Sequence, residues 1–242
     1  MRLKRTLLID GDIVVYRYAS IVEHEVDWGD DVWSLWSDAK EAKQLILQYI
    51  AHLVEMTAAD DFIFCFSDKD NFRKAVLPTY KSNRKGKRKP ICYKGVKAWI
   101  ESKYKTVQYP TLEGDDVMGI LATNGSIEGE TVIVSEDKDM KTIPCLLWRG
   151  GEMEKISEEY ADYFHLYQTL VGDTTDGYGG LKGTGDKRAT VLLENPTWET
   201  VLKAYEKAGY TEEDALVQAR VARILRASDY DAEKQEPILW NP

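Results

Sequence analysis

This 242-residue sequence is poor in histidine, cysteine and proline, with three, three and seven of them, and it has no long apolar run. His24, His52 and His165 all stand apart from the acidic clusters in the chain, so a histidine general base is not expected. Cys65, Cys92 and Cys145 are odd in number and widely spaced. That excludes a disulfide framework and a cysteine zinc site, and it points to reduced thiols in a cytoplasmic setting. No stretch approaches the roughly 18 uncharged apolar residues of a membrane span, so no membrane association is expected. The start, MRLKRTLLIDGDIVV, meets two aspartates before any apolar run reaches leader length, so a secretory signal is not expected either.

What is present is an ordinary globular composition, 43% hydrophobic and 30% charged, in a length suited to one large domain or a core with an appendage. The net charge of −9 argues on its face against a nucleic-acid partner. The distribution argues the reverse. Between Arg73 and Lys105 there are twelve Lys or Arg and one acid, Glu101, a local balance of +11 that leaves −20 for the remainder. Such polarisation suggests a phosphate-binding arm beside an acidic, metal-binding site.

Residues 6–10 (TLLID), 62–67 (FIFCFS) and 131–135 (TVIVS) are short apolar runs that read as buried strands. Each leads into an aspartate, at the strand end where open α/β sheets bind ligands. Leu45, Ile46, Tyr49, Ile50, Leu53 and Val54 form one apolar helical face. Residues 91–104 and 114–123 are further helix candidates. The alternation predicts an α/β fold with a central, mostly parallel sheet flanked by helices. Glycines 172, 177, 179, 180, 183 and 185 then crowd together, and helical stretches follow near 197–207 and 211–227. A division into an α/β core, 1–170, and a small helical region, 171–242, is expected.

Acidic residues fall where strands or helices begin or end. They are Asp10 with Asp12, Asp68, the Glu113, Asp115 and Asp116 cluster, Asp137 with Asp139, and Asp173 with Asp176. Individually, a D-x-D or an Asp-Gly turn is ordinary, and acids at a helix start serve as caps. Jointly, converging carboxylates at that density cannot all remain ionised unaided. Hard oxygen donors without histidine or cysteine fit Mg²⁺, with Mn²⁺ as a substitute. Two such ions suit phosphodiester hydrolysis.

Residues 81–89 carry six cations and nothing apolar, so the run is expected outside the core as part of a basic arch over 78–104. Lys81, Arg84, Lys85, Lys87 and Arg88 are candidate phosphate contacts, and Tyr80 a stacking platform. In the 180–189 segment, Gly183 and Gly185 allow a tight turn, and Lys187 and Arg188 add charge at a helix start. No strand precedes this turn, because 159–171 reads as helix, so a dinucleotide fold is excluded.

Taken together these motifs resemble the 5′-nuclease superfamily, in family order from Asp10 to Arg188, and are most similar to the compact phage 5′→3′ exonucleases. The resemblance implies a PIN-like nuclease core with a helix–hairpin–helix region. It implies metal ligation by Asp10, Asp68, Glu113, Asp115, Asp116, Asp137, Asp139, Asp173 and Asp176, with Asp10, Asp68 and Asp139 central to catalysis. Lys81 and Arg84 would meet the scissile phosphate, and Tyr16 would stack on DNA. Arg73, which follows Phe72 in the family's F-R pair, would join Tyr80 and the other arch residues on DNA. The hairpin would hold duplex backbone, with K⁺ bound by main-chain carbonyls. The implied substrate is double-stranded DNA with a 5′ end or flap, extending to RNA–DNA hybrids. A monomer acting in the host cytoplasm is implied if the source is a phage.

Two alternatives stay open on the sequence. LLIDGDIVV, VIVS and GDTTD resemble haloacid-dehalogenase phosphatase motifs, a reading that leaves the basic arm without purpose. The other is a non-catalytic DNA-end-binding protein.

Overall fold

The structure, a computed structural model, describes residues 3–84 and 86–242. The chain opens with β1 (Arg5–Asp10) and α1 (Gly11–Ile21), then a hairpin of β2 (Glu23–Asp27) and β3 (Trp33–Ser37). Next come α2 (Ala39–Thr57), β4 (Asp61–Cys65), a single turn α3 (Arg73–Val76), α4 (Tyr93–Lys103) and β5 (Thr106–Val107). Then follow α5 (Gly114–Thr123), β6 (Glu130–Val134), β7 (Leu146–Arg149) and β8 (Glu152–Lys155). The chain continues through α6 (Glu158–Val171), α7 (Asp186–Leu192), α8 (Trp198–Lys207) and α9 (Glu212–Ala222), and ends in a small ladder of β9 (Tyr230–Asp231) and β10 (Glu236–Pro237).

The six-stranded central sheet has the order β5-β4-β1-β6-β7-β8 and is parallel except for β8. The expected mostly parallel α/β architecture is therefore present. β1 pairs with β4 on one side and β6 on the other. That arrangement places a topological switch point at its C-terminal end, the position where such sheets bind ligands. Strands covered on both faces are apolar without interruption. Leu7, Ile9, Phe64, Val132 and Val134 pack under α1, α2 and α4, while Leu8, Ile63, Cys65 and Ile133 face α5.

Three features differ from expectation. First, α4 belongs to the core: Val96 and Ile100 are fully buried between α1 and α2. Its lysines lie on the outer face, so the basic segment outside the core ends near residue 91. Second, residue 170 is not a boundary. α6 packs with α7, α8 and α9 around Leu170, Leu181, Val201 and Tyr205, and the chain after α9 returns to the sheet. That return is close: a Cβ on Gly119 of α5 would collide with the Leu225 carbonyl. Third, the β2–β3 hairpin mixes acids and tryptophans in a pattern that matches neither a buried strand nor a helix.

Candidate active site

The acids gather at the C-terminal edge of the sheet. Asp10, last in β1, caps α1 by accepting from the Ile13 N–H at 2.9 Å and accepts from Ser135 Oγ at 3.2 Å. Burial, with the charges of Asp12 and Asp137, pushes its carboxyl up to about 7 against those two hydrogen bonds. Asp115, in the first turn of α5, is likewise raised well above the carboxylate range, by burial and then by Asp10 and Asp137. Asp137 follows β6 and caps the 138–142 turn by accepting from the Asp139 N–H at 2.9 Å. Asp139 is pushed up to about 7 by burial and by Asp137, with Lys138 opposing. Among the described residues none of Asp10, Asp115, Asp137 and Asp139 is in an ion pair.

The rim of the cleft is neutralised. Lys81 reaches both Glu113 and Asp176, and Arg84 bonds Asp176 at 2.5 Å. Burial alone would raise Glu113, yet Lys81, Arg73 and the Tyr80 hydroxyl outweigh it and hold the carboxyl at about 2. Burial likewise raises Asp176, against Lys81 and Arg84. Asp173 accepts from the Thr175 N–H at 2.7 Å and pairs with Lys138 at 3.2 Å, which outweighs burial and lowers it. Glu113, Asp115, Asp139 and Asp176 line one narrow cavity.

Four expected site residues lie elsewhere. Asp116 is sealed from solvent and spends its oxygens on Arg73 and on the Glu113 and Leu225 N–H groups, so it has none left for a ligand. Arg73 is equally buried and donates to the Val221 and Arg223 carbonyls, so it does not face DNA. Tyr80 is buried, its hydroxyl 2.8 Å from Glu113, and it acts as a strut rather than a stacking surface. Asp68 takes up both oxygens in bracing a loop, from the Lys69 and Thr111 N–H groups at 2.8 Å and Gln108 at 3.1 Å, which hold it below the usual range. It lines the outer cavity beside Lys81 and Arg84 rather than the inner acidic group.

The remaining candidates are exposed. Tyr16 is 51% accessible on α1 and lines a 630 Å³ cavity with Lys89, Arg17 and Tyr93. Lys87 is exposed, and Arg88 is paired with Glu23 at 2.5 Å. Lys85 lies outside the described residues. Gly183 has φ +75°, a conformation glycine tolerates, and its carbonyl accepts from Arg188. Gly185 caps α7, with Lys187 and Arg188 exposed.

Two residues that the resemblance does not count as ligands also shape the site: Gln168, which carries no sequence signal, and Asp12. Gln168, 3% exposed within α6, donates its amide to Asp139 Oδ1, and its own Oε1 is buried without a partner. Asp12 accepts from the Ser67 N–H at 2.7 Å and the Tyr93 hydroxyl at 2.9 Å, tying α1 to β4 and α4.

Among the described residues no three His, Cys, Asp or Glu side chains form a closed coordination shell. The donor set nevertheless fits hard divalent cations: it is all carboxylate, none of Asp10, Asp115, Asp137 and Asp139 is in an ion pair among the described residues, and its members raise one another. Residues 5–149 match the family described as 5′-3′ exonuclease, N-terminal resolvase-like domain. The chain belongs to the 5′-3′ exonuclease family. This exonuclease is 35% identical to the exonuclease of Escherichia phage T7, over 99% of its own chain and 94% of that protein. It is 34% identical to the exodeoxyribonuclease of Enterobacteria phage T3, over 99% and 93%. A structure of T5 5′-exonuclease with zinc ions superposes with a TM-score of 0.66 at 16% identity, covering 90% of this chain and 89% of that one. The phosphatase alternative falls with this membership, and the exonuclease's Gly172–Asp176 loop follows helix α6, where a dehalogenase acidic loop requires a strand. No helix among the described residues is long and apolar enough to cross a membrane.

Proposed function

We propose that the chain hydrolyses DNA phosphodiesters from 5′ ends as a divalent-metal-dependent 5′→3′ exodeoxyribonuclease, with flap endonuclease activity. The observation that carries this is the group of Asp10, Asp115, Asp137 and Asp139, none of them in an ion pair among the described residues, beneath a segment of lysine and arginine. These four would hold Mg²⁺ or Mn²⁺, with Glu113, Asp173 and Asp176 at the rim. Such ions supply an activated water at neutral pH and neutralise charge on the phosphate.

The chain's own groups do the rest. Ser135 and Gln168 fix the rotamers of Asp10 and Asp139. Lys81 and Arg84, parked on Glu113 and Asp176, turn to the scissile phosphate and stabilise the charge developing on its non-bridging oxygens. Tyr16 offers a ring for a base, and Lys87, Arg88 and Lys89 offer cations for the backbone. The Gly183–Arg188 turn grips duplex away from the cleft. K⁺ would be held by its carbonyls beside the buried, unpartnered Thr184 Oγ1. The substrate is double-stranded DNA with a 5′ end or flap, extending to RNA–DNA hybrids, and the enzyme works as a monomer in the host cytoplasm.

Incubation of 5′-labelled and 3′-labelled blunt duplexes with Mg²⁺, resolved by size, tests the reading. Early mononucleotide release from the 5′ label alone is expected. Binding without product over time would leave a DNA-end-binding protein instead.

A further inference from the structure

Between Arg17 and Lys40 there is no lysine or arginine, while Glu23, Glu25, Asp27, Asp30, Asp31 and Asp38 all fall there. The β2–β3 hairpin occupies this stretch, and among the described residues its sheet stops at two strands with no third on either edge. Trp28, Trp33 and Trp36 are 69%, 57% and 52% accessible, with Val32 and Leu35 exposed beside them. The register sets Glu25 opposite Leu35 and Asp27 opposite Trp33 on one face. On the other face Trp36 lies tilted against His24, ring centres 4.6 Å apart, and the Trp28 indole donates to Ser34 at 2.9 Å. At the hairpin's foot Glu23 accepts from Arg88 and from the Ile91 N–H, tying the hairpin to the basic segment.

A two-stranded hairpin is marginal alone, and large apolar side chains exposed on both of its faces mark it as a binding element. A DNA strand is the wrong occupant, because along the hairpin beyond its foot its phosphates would meet the carboxylates of Glu25, Asp27, Asp30 and Asp31, a stretch that holds no lysine or arginine. A second copy seated hairpin to hairpin would oppose like charges. The complement is cationic: arginine side chains pack over tryptophan faces, carboxylates pair with them, and an extended backbone completes a free edge. We propose that the β2–β3 hairpin is the docking site for a basic, extended segment of a partner protein. The inference goes beyond the nuclease reading and does not depend on it.

Tryptophan fluorescence of the full chain in EDTA, titrated with a short peptide alternating arginine and valine, tests it. Two variants accompany the parent. One combines Glu25→Gln, Asp27→Asn, Asp30→Asn and Asp31→Asn, and the other combines Trp28→Ser, Trp33→Ser and Trp36→Ser. The second variant is followed by competition against labelled peptide. A saturable shift in the parent, weakened about tenfold or more in each variant, is expected. Release of 5′ label should be equal in all three proteins. Equal peptide binding by the parent and the charge variant would overturn the proposal. So would a tenfold rise in KM for duplex in the tryptophan variant, which would make the hairpin a DNA contact. A dimer in sedimentation that the tryptophan variant abolishes would assign the surface to a second copy and overturn it too.

Discussion

Arg73 and Asp116 face each other through two parallel hydrogen bonds of 2.7 Å, and neither is reached by solvent. Arg73 lies in α3 and Asp116 in α5, and both also bond the backbone of residues 221–225. The pair joins three segments. Asp116→Ala leaves a buried guanidinium without its partner and should cost about 3–5 kcal/mol of stability in urea denaturation. A loss under 1 kcal/mol would show the pair to be dispensable.

Asp10 and Asp139 allow a test by pH. Both carboxyls are pushed up to about 7, from 3.8 in the unfolded chain. The folded protein therefore binds the extra protons, and without metal its stability falls as pH rises from about 4 to about 7. In EDTA, Asp10→Asn should melt above the parent at pH 8, and the gap should shrink by pH 5. A gap that is constant with pH would refute the assigned burial cost. Adding Mg²⁺ at pH 8 should raise the parent's Tm more than the variant's.

On the proposed function Lys81 acts on the reacting phosphate rather than on affinity alone. Lys81→Met should lower kcat by about 100-fold to 1,000-fold, the usual cost of one lost electrostatic stabiliser. Its KM should move far less. A change confined to KM would reduce the residue to a binding contact.

Gln168 touches Asp139 alone among the acids, so its effect should run through metal affinity. Gln168→Met should weaken Mn²⁺ binding, measured by calorimetry, by about 10-fold to 100-fold. Unchanged Mn²⁺ affinity in a variant of normal Tm would remove the positioning role.

The legible parts of the fold were those where burial writes itself into composition. β1, β4 and β6 are apolar on both faces and read as unbroken runs, and α2 shows its period because one side is wet. The helix over 91–104 is readable, but its place in the core is masked because its lysines flank a narrow buried stripe of Val96 and Ile100. Within the site, letters reported charge but not direction. Asp115 and Asp116 are adjacent on α5, yet one faces the cleft and the other faces Arg73. Asp68 looked like a ligand because it follows a strand, and the loop it braces folds back onto it from residues 108–111. Gln168 is an uncharged helix residue whose partner lies 29 positions away, a relation that no local pattern encodes.

The return of the chain after α9 has a consequence for biosynthesis. The Asp116 oxygen that accepts from Leu225 waits for a residue made 109 positions later. A nascent chain on the ribosome thus carries an unfinished seam behind the cleft until residue 225 has emerged. Removing residues from 221 onward would take away the backbone partners of both Arg73 and Asp116.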